Sequence, residues 1–125
     1  MNLVDSYAWL AYFAGEPNVG FFAGAIEDDQ ALLVPSVCLY EVFKVVLRER
    51  GEDAAFAAVA AMERGEVIDL DSDLAMEAAA LGLEENLAFA DSVIYAVAKK
   101  RDAILWTQDL HFRGKPGVKF KAKSK

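Results

Sequence analysis

Four acidic residues stand in stretches that are otherwise almost wholly apolar: Asp5 in NLVDSY, Glu41 in VCLYEVF, Asp91 in LAFADSVIYAVA and Asp109 in ILWTQDLHF. A carboxylate beside a core is costly unless a cation, a hydrogen-bond network or solvent compensates it. Lys44 lies one turn after Glu41, and the other nearby bases fall at helix ends, so no obvious cation partner is supplied along the chain. A hard divalent cation is the natural compensation. Mg²⁺ takes oxygen ligands and keeps several waters, so a few carboxylates suffice to hold it. Taken singly, Asp5 and Asp91 can be helix-starting acids and Asp109 a turn residue. Taken together, Asp5, Glu41, Asp91 and Asp109 are expected to form one metal site. Thr107, two residues before Asp109, is expected to turn its hydroxyl to the same side, toward a water on the metal or a phosphate oxygen.

Other reactive side chains carry less. The single cysteine, Cys38, excludes an internal disulfide, and with the single histidine, His111, it excludes the usual Cys/His zinc sites. Cys38 reads as a small core residue rather than a nucleophile, and His111 as a surface or packing residue in a turn. Trp9, Tyr12, Phe13, Phe21 and Phe22 read as core or oligomer interface rather than a base-stacking platform. The stretch Gly114–Gly117 lacks the spacing of a phosphate-binding loop.

These residues must be positioned by a scaffold, and its elements are legible. NLVD, ALLVPS, EVIDL and AILWT are short, nearly all-apolar strands, and VKF is a short fifth candidate. Between them lie helical stretches: SYAWLAYFA after a Ser6 cap, VGFFAGAIED, SVCLYEVFKVVLRER up to Gly51, the Ala-rich 52–64, DLAMEAAALGLEEN after a Ser72 cap, and ADSVIYAVAKKRD beyond a break near Asn86. Buried strands alternating with helices predict a parallel sheet covered on both faces, with ligand sites beyond the carboxyl ends of the strands. Asp5 and Asp109 stand at two such ends.

The 125 residues, 55% of them apolar, suit one folded domain over 1–125 and exclude a disordered chain. Thirteen basic and 20 acidic side chains give a net charge of −7. The six basic residues Arg113, Lys115, Lys119, Lys121, Lys123 and Lys125 all fall in a basic tail at 113–125 that contains no acid. No apolar run is long enough to span a membrane and no secretory signal is visible, so a cytoplasmic, soluble protein is expected.

The pattern resembles the PIN-domain ribonucleases, especially the VapC toxins of VapBC toxin–antitoxin pairs. Four motifs carry the resemblance: VDSYAWLAYF with Asp5, PSVCLYEVFKVVLR with Glu41, LAFADSVIYAVAKK with Asp91, and LWTQDLHFRG with Thr107, Asp109 and Phe112. Near the fourth motif, where such toxins carry a further acid or Asn, this chain has Gln108 or His111. The resemblance implies a three-layer α/β/α sandwich on a parallel four- to five-stranded sheet. It also implies an endoribonuclease dependent on Mg²⁺ or Mn²⁺, commonly a homodimer, with Asp5, Glu41, Asp91 and Asp109 as metal ligands and Thr107 beside them. Single-stranded or loop RNA is the expected substrate and a cognate antitoxin the expected partner. Two rivals stand beside it. A phosphoacceptor receiver domain would use Thr107 and Lys115–Pro116 and phosphorylate Asp69 or Asp71. A catalytically silent PIN-like binding module would hold no specific ion.

Overall fold

A computed structural model describes residues 1–123 of the chain. Ser124 and Lys125 lie outside the described residues, and with them the last charge of the basic segment. Five strands form one sheet: β1 (Asn2–Val4), β2 (Leu32–Pro35), β3 (Glu66–Ile68), β4 (Ile104–Thr107) and β5 (Val118–Phe120). Every pairing is parallel and the order is β3-β2-β1-β4-β5. VKF is thus a true fifth strand, set on the edge beside β4 with Trp106 opposite Lys119 and Thr107 opposite Phe120.

Six helices connect the strands: α1 (Ser6–Ala14), α2 (Val19–Glu27), α3 (Ser36–Arg50), α4 (Glu52–Met62), α5 (Ser72–Glu85) and α6 (Phe89–Lys100). The connections β1→β2 and β2→β3 step one way across the sheet, and β3→β4 steps back over β1 to its other side. Right-handed crossovers then put α1–α4 on one face and α5–α6 on the other, which makes the α/β/α sandwich. Leu3, Val4, Leu33, Val34 and Leu105 from the central strands are fully buried between Trp9, Phe22, Met62, Ile94, Tyr95 and Phe112. Among the described residues no helix is long and apolar enough to cross a membrane.

Two cap assignments differ from expectation for one reason. Asp5, not Ser6, caps α1, accepting the Ala8 N–H at 2.9 Å, and Asp71, not Ser72, caps α5, accepting the Leu74 N–H at 2.9 Å. Where an acid precedes a serine, the carboxylate is the stronger acceptor at a helix start. The hydroxyl of Ser6 is thereby left free for another partner.

The aromatic residues of α1 and α2 also have an internal use. Trp9 and Phe22 are buried, and Tyr12, Phe13 and Phe21 pack against the core. Phe13 stacks on Trp9 at 5.6 Å, and Phe21 covers Trp106 at 5.3 Å. Other large apolar side chains are exposed, among them Tyr7, Tyr40 and Phe56 on α1, α3 and α4, and Leu83, Phe89 and Leu110 around α5 and α6.

The strand order bears on the receiver-domain alternative. A receiver has the order 2-1-3-4-5, with β1 between β2 and β3. Here β1 lies between β2 and β4. The alternative's own residues are engaged otherwise as well: Asp71 caps α5, and Lys115 Nζ pairs with Glu85 Oε1 at 2.7 Å.

Candidate active site

The chain leaves β1 toward β2 on one side and returns through β4 on the other, so a crevice opens between the carboxyl ends of β1 and β4. Such switch points are where open parallel sheets hold ligands. Asp5 follows the last residue of β1 and Thr107 is the last residue of β4, one on each lip. The ladder continues across the crevice floor, where the Asp5 N–H donates to the Trp106 carbonyl at 3.1 Å.

Asp5 is only 3% exposed, and both of its carboxylate oxygens are occupied. Oδ1 accepts the Ala8 N–H, and Oδ2 accepts the Thr107 hydroxyl. Burial pushes the carboxyl up to about 7; the bonds from Thr107 and Ala8 oppose this, while the charges of Asp109 and Asp91 add to it. Thr107 is itself fully buried, and its oxygen accepts the Asp109 N–H at 2.9 Å. The expectation that Thr107 reaches a water or phosphate oxygen is therefore corrected. Its hydroxyl is engaged inside the fold, where it orients Asp5 and fixes the start of the Asp109 loop.

Asp91 sits in the first turn of α6, where the helix dipole favours an acid. A Cβ on Gly82 would lie 3.0 Å from that of Ser92, so the glycine lets α5 and α6 approach closely beside Asp91. Burial raises Asp91 to about 6; the charge of Asp109 raises it too, His111 opposes, and Glu41 contributes upward. Asp109 caps the short 3₁₀ turn Leu110–Phe112, its Oδ1 accepting the His111 N–H at 2.9 Å. Glu41, on α3, receives the Ser6 hydroxyl at 2.6 Å through Oε1. That is the use of the serine displaced from capping.

The four acids thus lie within electrostatic reach of one another. Asp109 and Asp91 act on Asp5, Asp109 and Glu41 act on Asp91, and no lysine or arginine enters either balance. Asp91, Asp109 and His111 each offer one ligand atom, all within 4.8 Å of one another. Two carboxylate oxygens and an imidazole nitrogen within that distance are a donor set suited to a divalent cation, and Asp5 and Glu41 stand outside this closest group.

His111 is the site residue that sequence reasoning missed. The 3₁₀ turn folds it back so that Nδ1 lies 2.9 Å from Asp109 Oδ1 and 3.6 Å from Asp91 Oδ2. Its spacing of two from Asp109 does not by itself indicate that contact, which the cap on the turn creates. Ser6, adjacent to Asp5, and Asn18, buried at the start of α2, were likewise passed over; Asn18 donates to Gln108 at 3.2 Å and to the Ala122 carbonyl at 2.9 Å. Cys38 is fully buried one turn before Glu41, and burial raises its thiol far above the ordinary value, in keeping with a core role.

Solved structures share this architecture. A toxin–antitoxin complex from Klebsiella pneumoniae superposes with a TM-score of 0.81 at 22% identity, covering 95% of this chain and 96% of that one. VapC20 of Mycobacterium tuberculosis, described as a Sarcin-Ricin loop cleaving toxin, gives a TM-score of 0.76 at 22% identity, covering 93% and 95%. DNA-bound VapBC from Salmonella typhimurium gives 0.73 at 18% identity, covering 98% of each chain. No curated protein matches the sequence. The family model of the PIN domain matches residues 3–117. The chain belongs to the PIN-domain family.

Proposed function

We propose that this protein is a divalent-metal-dependent endoribonuclease, the toxin of a type II toxin–antitoxin pair. One observation carries the reading: four carboxylates lie within electrostatic reach of one another beyond the carboxyl end of the sheet, and two of them, Asp5 and Asp91, are raised toward neutrality with no lysine or arginine to balance them. Asp5, Glu41, Asp91 and Asp109 would hold Mg²⁺ or Mn²⁺, with His111 beside them. The ion would activate water and offset the negative charge that develops on the phosphate oxygens.

The chain's own residues do the rest. Thr107 and the Ala8 N–H hold both oxygens of Asp5 in place, so that carboxylate presents a fixed charge. The Ser6 hydroxyl does the same for Glu41. Asp91 is partly open to solvent, so its carboxylate could also orient the attacking water. Single-stranded or looped RNA is the substrate class, because its backbone and bases are accessible in a shallow crevice. The description of the VapC20 relative as a loop-cleaving toxin supports the same class.

An antitoxin is the expected partner, supported by relatives solved as toxin–antitoxin complexes. A homodimer in the cytoplasm completes the reading. With Trp9, Tyr12, Phe13, Phe21 and Phe22 committed to the fold, Leu83, Phe89 and Leu110 are among the apolar side chains whose exposure favours self-association. The deciding experiment is cleavage of single-stranded and stem–loop RNA by the purified chain with Mg²⁺ or Mn²⁺, against a chelator and an Asp91→Asn variant. Cutting that needs both the ion and Asp91 upholds the proposal. If the wild-type protein leaves RNA intact with either ion, the silent binding module replaces it.

A further inference from the structure

The acids gather at the crevice, whereas residues 113–123 carry five cations and no acid. Lys115 is paired with Glu85. Among the described residues, Arg113, Lys119, Lys121 and Lys123 form no ion pair. All four are exposed.

Two of these cations are held on one face by the fold. Lys119 is in register with Trp106, and in-register neighbours in a pleated sheet project to the same side. Its Nζ lies 4.7 Å from the Trp106 ring centroid. Lys121 Nζ lies 5.8 Å from the Phe21 ring, and Phe21 packs on Trp106. Two ammonium groups, on residues two apart along the chain, therefore stand over one aromatic pair. An aromatic face restrains a lysine while leaving its charge unneutralised.

This line of charge runs toward the acids. The Lys121 N–H donates to the Thr107 carbonyl at 3.0 Å. The next residue, Ala122, is tied to Asn18, whose side chain also grips Gln108, the neighbour of Asp109. Lys123 follows that anchor beside the loop that carries Asp109. A carboxylate-lined crevice repels a phosphodiester, so its substrate needs attraction from somewhere adjacent.

We infer that Lys119, Lys121 and Lys123 form a track that holds the backbone of a single RNA strand and leads it into the crevice. The inference rests on the ribonuclease reading and adds a binding site to it. Three cations at alternate residues along a sheet edge and the segment that follows it suit one backbone and leave the bases free. Reading a DNA duplex would instead call for an element that enters a groove.

The test is fluorescence anisotropy with a labelled single-stranded RNA of about 15 nucleotides between about 50 and 300 mM salt, using an Asp91→Asn background that leaves the RNA uncut. Each phosphate neutralised on a single strand contributes about 0.7 to the slope of log affinity against log salt, so Lys119→Gln/Lys121→Gln/Lys123→Gln should flatten that slope by about 2. The same three positions as Arg should restore it. Lys99→Gln/Lys100→Gln, at the opposite end of the sheet, should leave it unchanged. In the active protein the triple Gln variant should raise KM several-fold with little change in kcat, and its thermal melt should match that of wild type. RNA binding with an unaltered slope overturns the track and leaves the ribonuclease reading standing. Tighter binding of duplex DNA with the same lysine dependence overturns the assignment to RNA. A wild-type chain that neither binds nor cuts RNA overturns both.

Discussion

The Thr107 hydroxyl donates to Asp5 Oδ2 across the crevice between β4 and β1, and its oxygen accepts the N–H of Asp109. One buried side chain thus ties together the ends of two neighbouring strands and the two acids that follow them. Thr107→Val keeps the shape and removes both bonds. It leaves a buried carboxylate oxygen and a backbone N–H without their partners, a loss of about 1–3 kcal/mol for each such group. Urea denaturation should show the two losses together, about 2–6 kcal/mol, RNA cleavage should fall, and Thr107→Ser should recover most of both. A Val variant as stable as wild type would mean that the bond does not hold Asp5.

Asp5 also makes stability depend on pH in an uncommon direction. Its carboxyl titrates near 7 in the fold and near 3.8 when unfolded, so between those values the folded chain keeps a proton that the unfolded chain releases. Raising pH through this window therefore favours unfolding: the contribution is harmless below about pH 4, grows as pH rises, and is complete above about 7. Its ceiling is on the order of 4 kcal/mol. Asp91, raised to about 6, acts in the same sense. Metal-free protein should melt at a lower temperature at pH 8 than at pH 5. Asp5→Asn, which retains a capping oxygen for Ala8, should flatten the dependence. A wild-type midpoint that climbs across this window would refute the protonated state of Asp5.

A bound cation should replace that proton. Millimolar Mg²⁺ or Mn²⁺ should raise the melting temperature at pH 8 and much less at pH 5.5, where protons compete for Asp5 and Asp91. The stabilisation reaches about 2.7 kcal/mol when the free ion is at 100 times its Kd. Asp91→Asn should remove most of the shift and abolish RNA cleavage while the chain stays folded. It also relieves like-charge repulsion, so its metal-free form should be at least as stable as wild type. Calorimetric titration with each ion checks this, and equal heats from wild type and variant would remove Asp91 from the ligand set.

The acids were legible in the sequence because each interrupts an apolar run, and the strands because a buried parallel sheet leaves nearly continuous apolar segments. The rule that sites form beyond the carboxyl ends of such strands then directs attention to Asp5 and Asp109. What was not legible depends on how the chain folds back on itself. His111 meets Asp109 and Asp91 only because Asp109 caps a tight turn, and a lone histidine in a polar turn carries no signal of that. Ser6 looked like a helix cap, and its bond to Glu41, 35 residues away, exists only once α1 and α3 pack together. Thr107 was read as facing the ligand, because pattern alone does not tell a hydroxyl aimed at substrate from one spent on a neighbouring carboxylate.

The last prediction concerns inhibition by the expected antitoxin. A groove runs between α1 and α3, lined by Tyr7, Leu10, Tyr40, Lys44 and Val45, and it includes Ser6 and Glu41 at the edge of the acid site. Tyr7 and Tyr40 are both well exposed along it. An antitoxin segment lying in this groove would take most of its affinity from those apolar contacts, with one end beside Glu41. An arginine at that end would fork onto the carboxylates of Glu41, Asp5 or Asp91 and supply the positive charge that the site lacks. It would then compete directly with the metal. Replacing that basic residue of the partner by Ala should restore nuclease activity and leave the complex largely intact, whereas Tyr40→Ala in this chain should weaken the complex itself. Raising Mg²⁺ should relieve inhibition in proportion to its concentration. Activity that stays suppressed in the Ala complex, or inhibition that is indifferent to Mg²⁺, would show instead that the partner acts by covering the path of the RNA.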